Sequence, residues 1–463
     1  MNFKKIDLNQ KKKFRGNSKR KSTGFLALGI VGIILIGAVL LMLPISSNEG
    51  TFTDPLTALF TAVSSTCVTG LVVVDTATHW SLFGQVVIIL LIQIGGLGFM
   101  TMAVILSLLL HRTVTPKERM LVAMSYNLNS YESMTALIKR IVLGTVIIEG
   151  AGAVLLATQF VPIFGADGIF MSVFHSISAF CNAGFDLMGT TTGKFSSLTY
   201  FRGNAVVNIT IILLIMIGGI GFVVWNDIVN RIKCRKRMSA YSKLILIVSI
   251  AIFVGGGMIF FIAEYNNPKT MGGLPLGEKI LASLFQSATL RTAGFGTIDN
   301  AVMTDVSKLA SLVLMFIGGA SGSTAGGVKV GSIAVLTIVV WNSAIGKRDS
   351  VIFGRKLTAE SFTRAVTVIV IQLMLIIVSS VIIMTDMPEL DVMAVLFETT
   401  SAVNTVGLSF GLSPSLSALG KIIDILLMYF GRVGILSITF AVSVNLSERD
   451  TAITYPDANM LIG

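Results

Sequence analysis

Four short segments of this 463-residue chain share one pattern: TCVTGL (66–71), FCNAGF (180–185), LRTAGF (290–295) and VNTVGL (403–408). In each, small or β-branched residues precede a glycine, and Leu or Phe follows it. The glycines, Gly70, Gly184, Gly294 and Gly407, lie 114, 110 and 113 residues apart, close to a quarter of the chain. One such segment among 45 glycines would carry no weight, but four in phase do. The chemistry open to such stretches is coordination by the backbone. Glycine takes positive φ without steric cost. Alternating backbone signs then aim successive carbonyls inward, where they replace the hydration shell of a cation. The competing reading is that these glycines serve helix packing or ordinary turns.

Two further features could act on an ion path. The stretch GGASGSTAGGVKVGS (318–332) interrupts what should be a helix, with Lys329 at its edge. Its composition resembles a phosphate-binding loop, but Val328 rather than Lys follows Gly327 and no strand precedes it, so a nucleotide site is excluded. Unwound backbone at membrane depth reads instead as a mobile gating element built from Gly318, Gly319, Gly322, Ser323, Thr324, Gly326, Gly327 and Lys329. An inert kink is the alternative. Arg432 occupies the slot that Gly96, Gly219 and Gly319 hold in the landmarks IGGLG (94–98), IGGIG (217–221) and IGGAS (317–321). A guanidinium inside a span is costly, faces an interior cavity and marks a functional site by default. Asp424 and Glu398 are its candidate acid partners, and Arg291 is a weaker case, for which a hydrogen-bonding role behind the glycine segments is an equal alternative. The glycines of the first two landmarks, Gly95, Gly96, Gly98, Gly218, Gly219 and Gly221, read as close helix packing first and kinking second.

The elements that position these residues follow from composition. The chain is 53% hydrophobic and 13% charged, about half the charge usual in a soluble protein. Apolar runs long enough to cross roughly 30 Å of hydrocarbon occur at Phe25–Leu43, Gly84–Leu110, Ala205–Val224, Leu244–Ile262, Ala365–Ile383 and Ile422–Val444. Ahead of each patterned glycine lies a half-apolar segment of 10–15 residues, opening near Asp54-Pro55, Gly168, Gly277-Glu278 and Glu389 and too short to span. The fold class expected is therefore an all-α polytopic membrane protein. It has four tandem membrane–pore–membrane repeats, eight transmembrane helices plus four re-entrant pore helices, around a pseudo-fourfold pore. Irregular backbone at that depth is tolerable where it lines a water-filled path.

Of the 35 Lys and Arg residues, 26 fall within 4–21, 112–140, 231–243, 347–364 and Arg449. With those segments cytoplasmic, the positive-inside rule holds and both termini are cytoplasmic, in a cell (plasma) membrane protein. The net charge of +11 thus reads as topogenic, with the lipid bilayer and not nucleic acid as partner. The expected organisation is a basic tail (1–24), repeat 1 (25–111), a linker (112–134), repeat 2 (135–230), a basic loop (231–242), repeat 3 (243–346), a loop (347–363), repeat 4 (364–446) and a tail (447–463). The basic run before Phe25 does not read as a cleavable signal. Three cysteines and three scattered histidines suit neither a disulfide framework nor a metal site. No paired carboxylates or nucleophile–base pair falls in the spans, so an enzyme is not expected.

On the four glycine segments, the broken span GGASGSTAGGVK and the arginine of FGRVG, the chain resembles the Ktr/Trk/HKT superfamily of potassium transporters over about residues 25–450, most closely the bacterial Ktr-type membrane subunit. The resemblance implies that the ion is held by Val68, Thr69, Asn182, Ala183, Thr292, Ala293, Thr405 and Val406 beside the four glycines. A glycine in all four repeats implies potassium preference, whereas serine in place of Gly70 would have suggested sodium. The quarters differ and lack a full TVGYG set, which implies looser selectivity than in a homotetrameric channel. The function implied is the ion-translocating subunit of a potassium uptake system. The alternative is a sodium-permeable or sodium-coupled transporter of the same fold. Also implied are a homodimer with one pore per protomer and a cytosolic ring of nucleotide-binding (ATP/ADP) regulatory subunits. The ring would dock on the basic loops 231–243 and 347–364, unless these are simply solvated. Potassium is then substrate, sodium a candidate activator, and no covalent or catalytic cofactor is expected.

Overall fold

The computed structural model describes residues 28–98, 134–235, 237–347 and 349–433. Fourteen helices longer than one turn are described. The first quarter holds α1 (Leu28–Met42), α2 (Pro55–Cys67) and α3 (Leu82–Leu97). The second holds α4 (Met134–Phe164), α5 (Asp167–Cys181), α6 (Ala205–Gly219) and α7 (Phe222–Cys234). The third holds α8 (Ala240–Glu264), α9 (Leu276–Thr289), α10 (Asp305–Phe316) and α11 (Val330–Ala344). The fourth holds α12 (Ala359–Asp386), α13 (Val392–Asn404) and α14 (Ala418–Val433). Each quarter thus runs one helix, a short helix of 13–15 residues, and one or two further helices.

Among the described residues, three helical stretches are long and apolar enough to cross a membrane: Arg140–Phe164, α8 and α12, with mean hydropathies of 2.0, 2.7 and 2.9. Their two faces are inverted relative to a soluble helix. On α8, Ile247, Ile250, Met258 and Ile262 are exposed, whereas Ser242, Ser249, Gly256 and Gly257 are buried. On α12, Leu373, Met374, Ile377 and Val381 face out, and Gln372, Ser379 and Ser380 face in. Hydrocarbon is the medium that makes such a face stable, while small and hydroxyl residues let neighbouring helices approach. Small residues mark the approaches: a Cβ on Gly152 would sit 2.6 Å from Ser176 Oγ, and one on Gly256 2.5 Å from Ser287 Oγ.

The short helices α2, α5, α9 and α13 have 13, 15, 14 and 13 residues, within the range expected from the sequence. Asp54 starts α2 by accepting the Thr57 N–H at 3.0 Å, with Pro55 supplying a preset φ at the first helical position. Asp391 caps α13 in the same way through the Ala394 N–H at 3.1 Å.

Three expected boundaries differ. The run Ala205–Val224 is not one helix: α6 ends at Gly219, Gly221 turns the chain at φ +89°, and α7 leaves at 97° to α6. Helix α7 persists into the segment 231–242, and α8 starts at Ala240. Within 347–363 lies an antiparallel pair, β1 (Val351–Ile352) with β2 (Arg355–Lys356), the one two-stranded sheet among the described residues. Helix α12 then starts at Ala359, ahead of the expected 364. The tails 1–24 and 447–463, nearly all of the linker 112–134, and the far ends of Gly84–Leu110 and Ile422–Val444 lie outside the described residues.

Candidate functional site

The four patterned glycines meet at one place. Each short helix ends three to five residues before its glycine, and each glycine is preceded by two residues of a repeated conformation. Val68, Asn182, Thr292 and Thr405 have φ of 58°, 61°, 65° and 51°, and Gly70, Gly184, Gly294 and Gly407 have φ of 95°, 69°, 78° and 90°. For β-branched Val68, Thr292 and Thr405 such a φ is an outlier, sustained only where surrounding structure imposes it. The intervening Thr69, Ala183, Ala293 and Val406 are not in the positive-φ region, so backbone sign alternates in all four strands.

The contacts close into a ring. A Cβ on Gly184 would lie 2.7 Å from Gly294 Cα and 2.8 Å from the Ala293 carbonyl oxygen. One on Gly294 would lie 2.9 Å from both Gly184 Cα and the Val406 oxygen. One on Gly407 would strike the Thr69 oxygen with Gly70 Cα at 3.0 Å, and one on Gly70 would strike the Ala183 oxygen with Gly184 Cα at 3.2 Å. The succession Gly70, Gly184, Gly294, Gly407 and back to Gly70 passes through the carbonyls of Ala183, Ala293, Val406 and Thr69. Only glycine permits that approach. The four glycines and the carbonyls of Thr69, Ala183, Ala293 and Val406 therefore meet in one ring, with Val68, Asn182, Thr292 and Thr405 next to them in sequence.

Hydroxyls that the sequence reading did not single out brace these strands. Ser64 and Ser401 accept the N–H groups of Gly70 and Gly407 at 3.1 and 3.0 Å. Ser178 and Thr289 donate to the carbonyls of Phe185 and Phe295 at 2.8 and 2.6 Å. Their signal was the recurrent hydroxyl five or six residues before each glycine. Thr69, Thr292 and Thr405 keep buried hydroxyls with no hydrogen-bond partner among the described residues.

Helices α3, α6 and α14 fit against the helix ends in a common register. A Cβ on Gly95, Gly218 or Gly431 would strike the carbonyl oxygen of Thr66, Phe180 or Val403 respectively, in each case the residue four before the patterned glycine. Gly96 sits against Cys181, where a Cβ would be 2.6 Å from Sγ. Gly98 and Gly221 instead have positive φ at helix breaks.

The stretch 318–329 is a structured out-and-back turn lying against these helix ends. Gly318 N–H donates to Val328 O at 2.9 Å and Val330 N–H to Gly319 O at 3.0 Å, which pairs its two limbs. Ala320 N–H donates to Gly219 O, and Phe222 N–H to Gly322 O, each at 2.9 Å. Thr324 Oγ1 donates to Phe180 O at 3.2 Å, and Gly327 lies against Asn404. Gly326 faces Thr405 so closely that a Cβ there would collide with its hydroxyl. Ser323 donates to Ala320 O at 2.7 Å, and Lys329 Nζ donates to Ala325 O at 2.8 Å and Gly326 O at 3.3 Å. The Arg432 guanidinium, from α14, donates to Thr324 O in this turn and to Gly95 O and Gly96 O (the last at 3.3 Å) in α3. Of the two acids considered for it, Glu398 accepts from Ser409 and Ser413, and the Asp424 carboxylate has no hydrogen-bond partner among the described residues. Arg291 points away from the ring, with Nη2 donating to Ser249 Oγ at 3.1 Å.

On the opposite side, each strand passes into a one-turn helix, of which Thr76–His79, Asn300–Val302 and Ser413–Ser415 begin six residues after the glycine. Asp75 accepts the N–H of Thr78 at 2.9 Å and of Phe195 at 3.0 Å, joining the first quarter to the second. Asp186 accepts the Met188 N–H at 3.0 Å, and burial pushes its carboxyl up to about 6, the Met188 bond opposing this and the nearby Asp75 adding to it.

The family model for TrkH, cation transport proteins, matches residues 9–451. The chain is 40% identical to the Ktr system potassium uptake protein B of Bacillus subtilis, covering 95% of this chain and 96% of that one. It is 36% identical to the potassium/sodium uptake protein NtpJ of Enterococcus hirae, with the same coverage of 95% and 96%. Its fold is similar to that of the potassium transporter TrkH from Vibrio parahaemolyticus, with a TM-score of 0.70 at 18% identity over 90% of this chain and 85% of that one. The chain belongs to the TrkH family of cation transport proteins and is a helical polytopic membrane protein.

Proposed function

We propose that this chain is the ion-translocating membrane subunit of a potassium uptake system, with the glycine–carbonyl ring as its selectivity filter. The observation that carries the reading is the closed succession of approaches among Gly70, Gly184, Gly294 and Gly407. Four carbonyls facing one axis repel each other unless a cation lies between them, and a partly or wholly dehydrated potassium ion matches that need. The C-termini of α2, α5, α9 and α13 add their partial negative charge to the same place. The four quarters act as membrane–pore–membrane repeats, eight spans with four re-entrant helices. The distribution of the basic segments supports a cytoplasmic location for both termini and for the 318–329 turn. An inside-negative potential then drives cations inward with about 2.3 kcal/mol per charge per 100 mV.

The turn 318–329 gates the path beneath the filter, held by Lys329 and Arg432. The name of the Bacillus relative, a protein of a Ktr system, supports a separate regulatory partner. We take that partner to be a cytosolic nucleotide-binding ring acting on a homodimer of this chain. A sodium-permeable or sodium-coupled transporter of the same fold is the second reading, favoured by the potassium/sodium name of the Enterococcus relative. Flux in reconstituted vesicles, comparing potassium, sodium and rubidium for the native chain, Gly70→Ser and Gly407→Ser, tests the filter. Potassium discrimination that survives both substitutions unaltered would remove the assignment. Sodium flux equal to potassium flux in the native chain would establish the second reading.

A further inference from the structure

One helix turn before each bracing hydroxyl stands a second polar residue, three positions earlier on the same helix face. These are Thr61 before Ser64, His175 before Ser178, Gln286 before Thr289 and Glu398 before Ser401. All four are buried at the helix core of a membrane protein, where a polar side chain is expensive unless bonded. In three quarters the side chain bonds forward to the segment that leaves the filter. His175 Nε2 accepts the Leu187 N–H at 3.3 Å. That fixes the proton on Nδ1, which donates to Met171 O at 2.7 Å, so the ring is held at both nitrogens. Gln286 Nε2 donates to Asn300 Oδ1 at 2.8 Å. Glu398 accepts from Ser409 Oγ at 2.6 Å and from Ser413 Oγ. Asn300 and Ser413 are equivalent positions, each six residues past its glycine and each opening a one-turn helix.

The first quarter is the exception. Thr61 Oγ1 turns back to Thr57 O at 3.0 Å, and the segment after Gly70 is held instead by Asp75 through the Phe195 N–H of the second quarter.

We infer that His175, Gln286 and Glu398 are positioning residues for ion discrimination. Each ties the strand leaving the filter to its own short helix and so sets how far the carbonyl at the glycine's neighbour stands from the axis. The inference rests on the filter reading. Discrimination between potassium and sodium depends on carbonyl placement to a fraction of an ångström or on the stiffness of the ring, and a side-chain strut controls both. Three different chemistries at one helix position also mean that the three struts differ in stiffness, unlike those of four identical subunits.

The test is a double-substitution cycle on Gln286 and Asn300, read as the potassium-to-sodium flux ratio in vesicles, with Glu398→Gln, Glu398→Leu and Gly407→Ser beside it and the melting temperature of each purified variant recorded. Gln286→Leu and Asn300→Leu should each lower the ratio roughly fivefold, as the loss of one buried hydrogen bond allows. The double variant should fall no further. Glu398→Gln, which keeps one oxygen to accept from Ser409 Oγ and offers its amide N–H to the Ser413 hydroxyl, should keep the ratio, and Glu398→Leu should lose it. An altered ratio in Gly407→Ser with unaltered ratios in the Gln286, Asn300 and Glu398→Leu variants overturns the positioning role. So does a set of variants whose melting temperatures fall while their ratios stand. Unaltered ratios throughout, Gly407→Ser included, overturn the filter reading itself.

Discussion

Arg432 donates to the main-chain oxygen of Thr324, so the last described span is bonded to the turn that interrupts the third quarter. The same guanidinium reaches Gly95 O and Gly96 O in α3. It therefore fastens the turn to the first quarter, and a planar fork with several donors suits that bridging better than an ammonium would. Arg432→Ala should free the turn and raise rubidium influx into vesicles on the order of tenfold, the worth of one or two charge-assisted hydrogen bonds. Arg432→Lys should fall between. Influx unchanged in the alanine variant would show that the turn is held by other contacts.

Gly184→Ala is expected to be more damaging than its size suggests. The methyl would lie 2.7 Å from Gly294 Cα, in backbone that cannot swing aside, and φ +69° is itself unfavourable for alanine. The variant should lose potassium-selective flux and about 2 kcal/mol or more of stability, read from flux ratios and thermal unfolding in detergent.

Glycines along the spans should divide sharply by what faces them. Gly95→Ala and Gly218→Ala would drive a methyl into the carbonyls of Thr66 and Phe180. Both should lower the yield of folded protein and its melting temperature. Gly150 and Gly255 have nothing within 4 Å of a built Cβ, and Gly150→Ala and Gly255→Ala should be neutral or stabilising by about 0.5–1 kcal/mol. Equal effects in the two pairs would contradict the packing register.

Asp186 makes a pH prediction of unusual sign. Its carboxyl titrates at about 6 in the folded chain, against an ordinary value of 3.8, because burial disfavours the charge. The folded state thus holds a proton that the unfolded state releases, so this group's contribution to stability is present at low pH and is lost as pH rises toward 6 and beyond. Relative to Asp186→Asn, the native chain should gain melting temperature as the buffer is lowered from pH 7 to pH 5. A constant difference between the two proteins across that range would show that Asp186 titrates normally.

Much of this architecture was legible in the primary structure because membrane burial and fourfold recurrence both write long, redundant signals. The glycine spacing located the ring, and Asp54-Pro55 marked the start of α2. The turn 318–329 was visible as a run of small residues no helix would choose. What escaped was local. The bend after Gly219 lies in a run, Ala205–Val224, whose hydropathy is continuous, and only the positive φ of Gly221 breaks it. The acids considered for Arg432 were chosen by charge, whereas its guanidinium bonds main-chain oxygens, which carry no residue label to read. His175 read as one of three scattered histidines, and Glu398 as a candidate partner of Arg432, until the braces Ser178 and Ser401 supplied a register.

Four unlike strands joined in one polypeptide have a consequence for how this path can change over generations. In an assembly of identical subunits, one codon alters every side of the ring at once, and most such steps are too large to survive. With the ring as the proposed filter, a single exchange here touches one quadrant, so ion preference would drift in small increments while the other three sides keep their geometry.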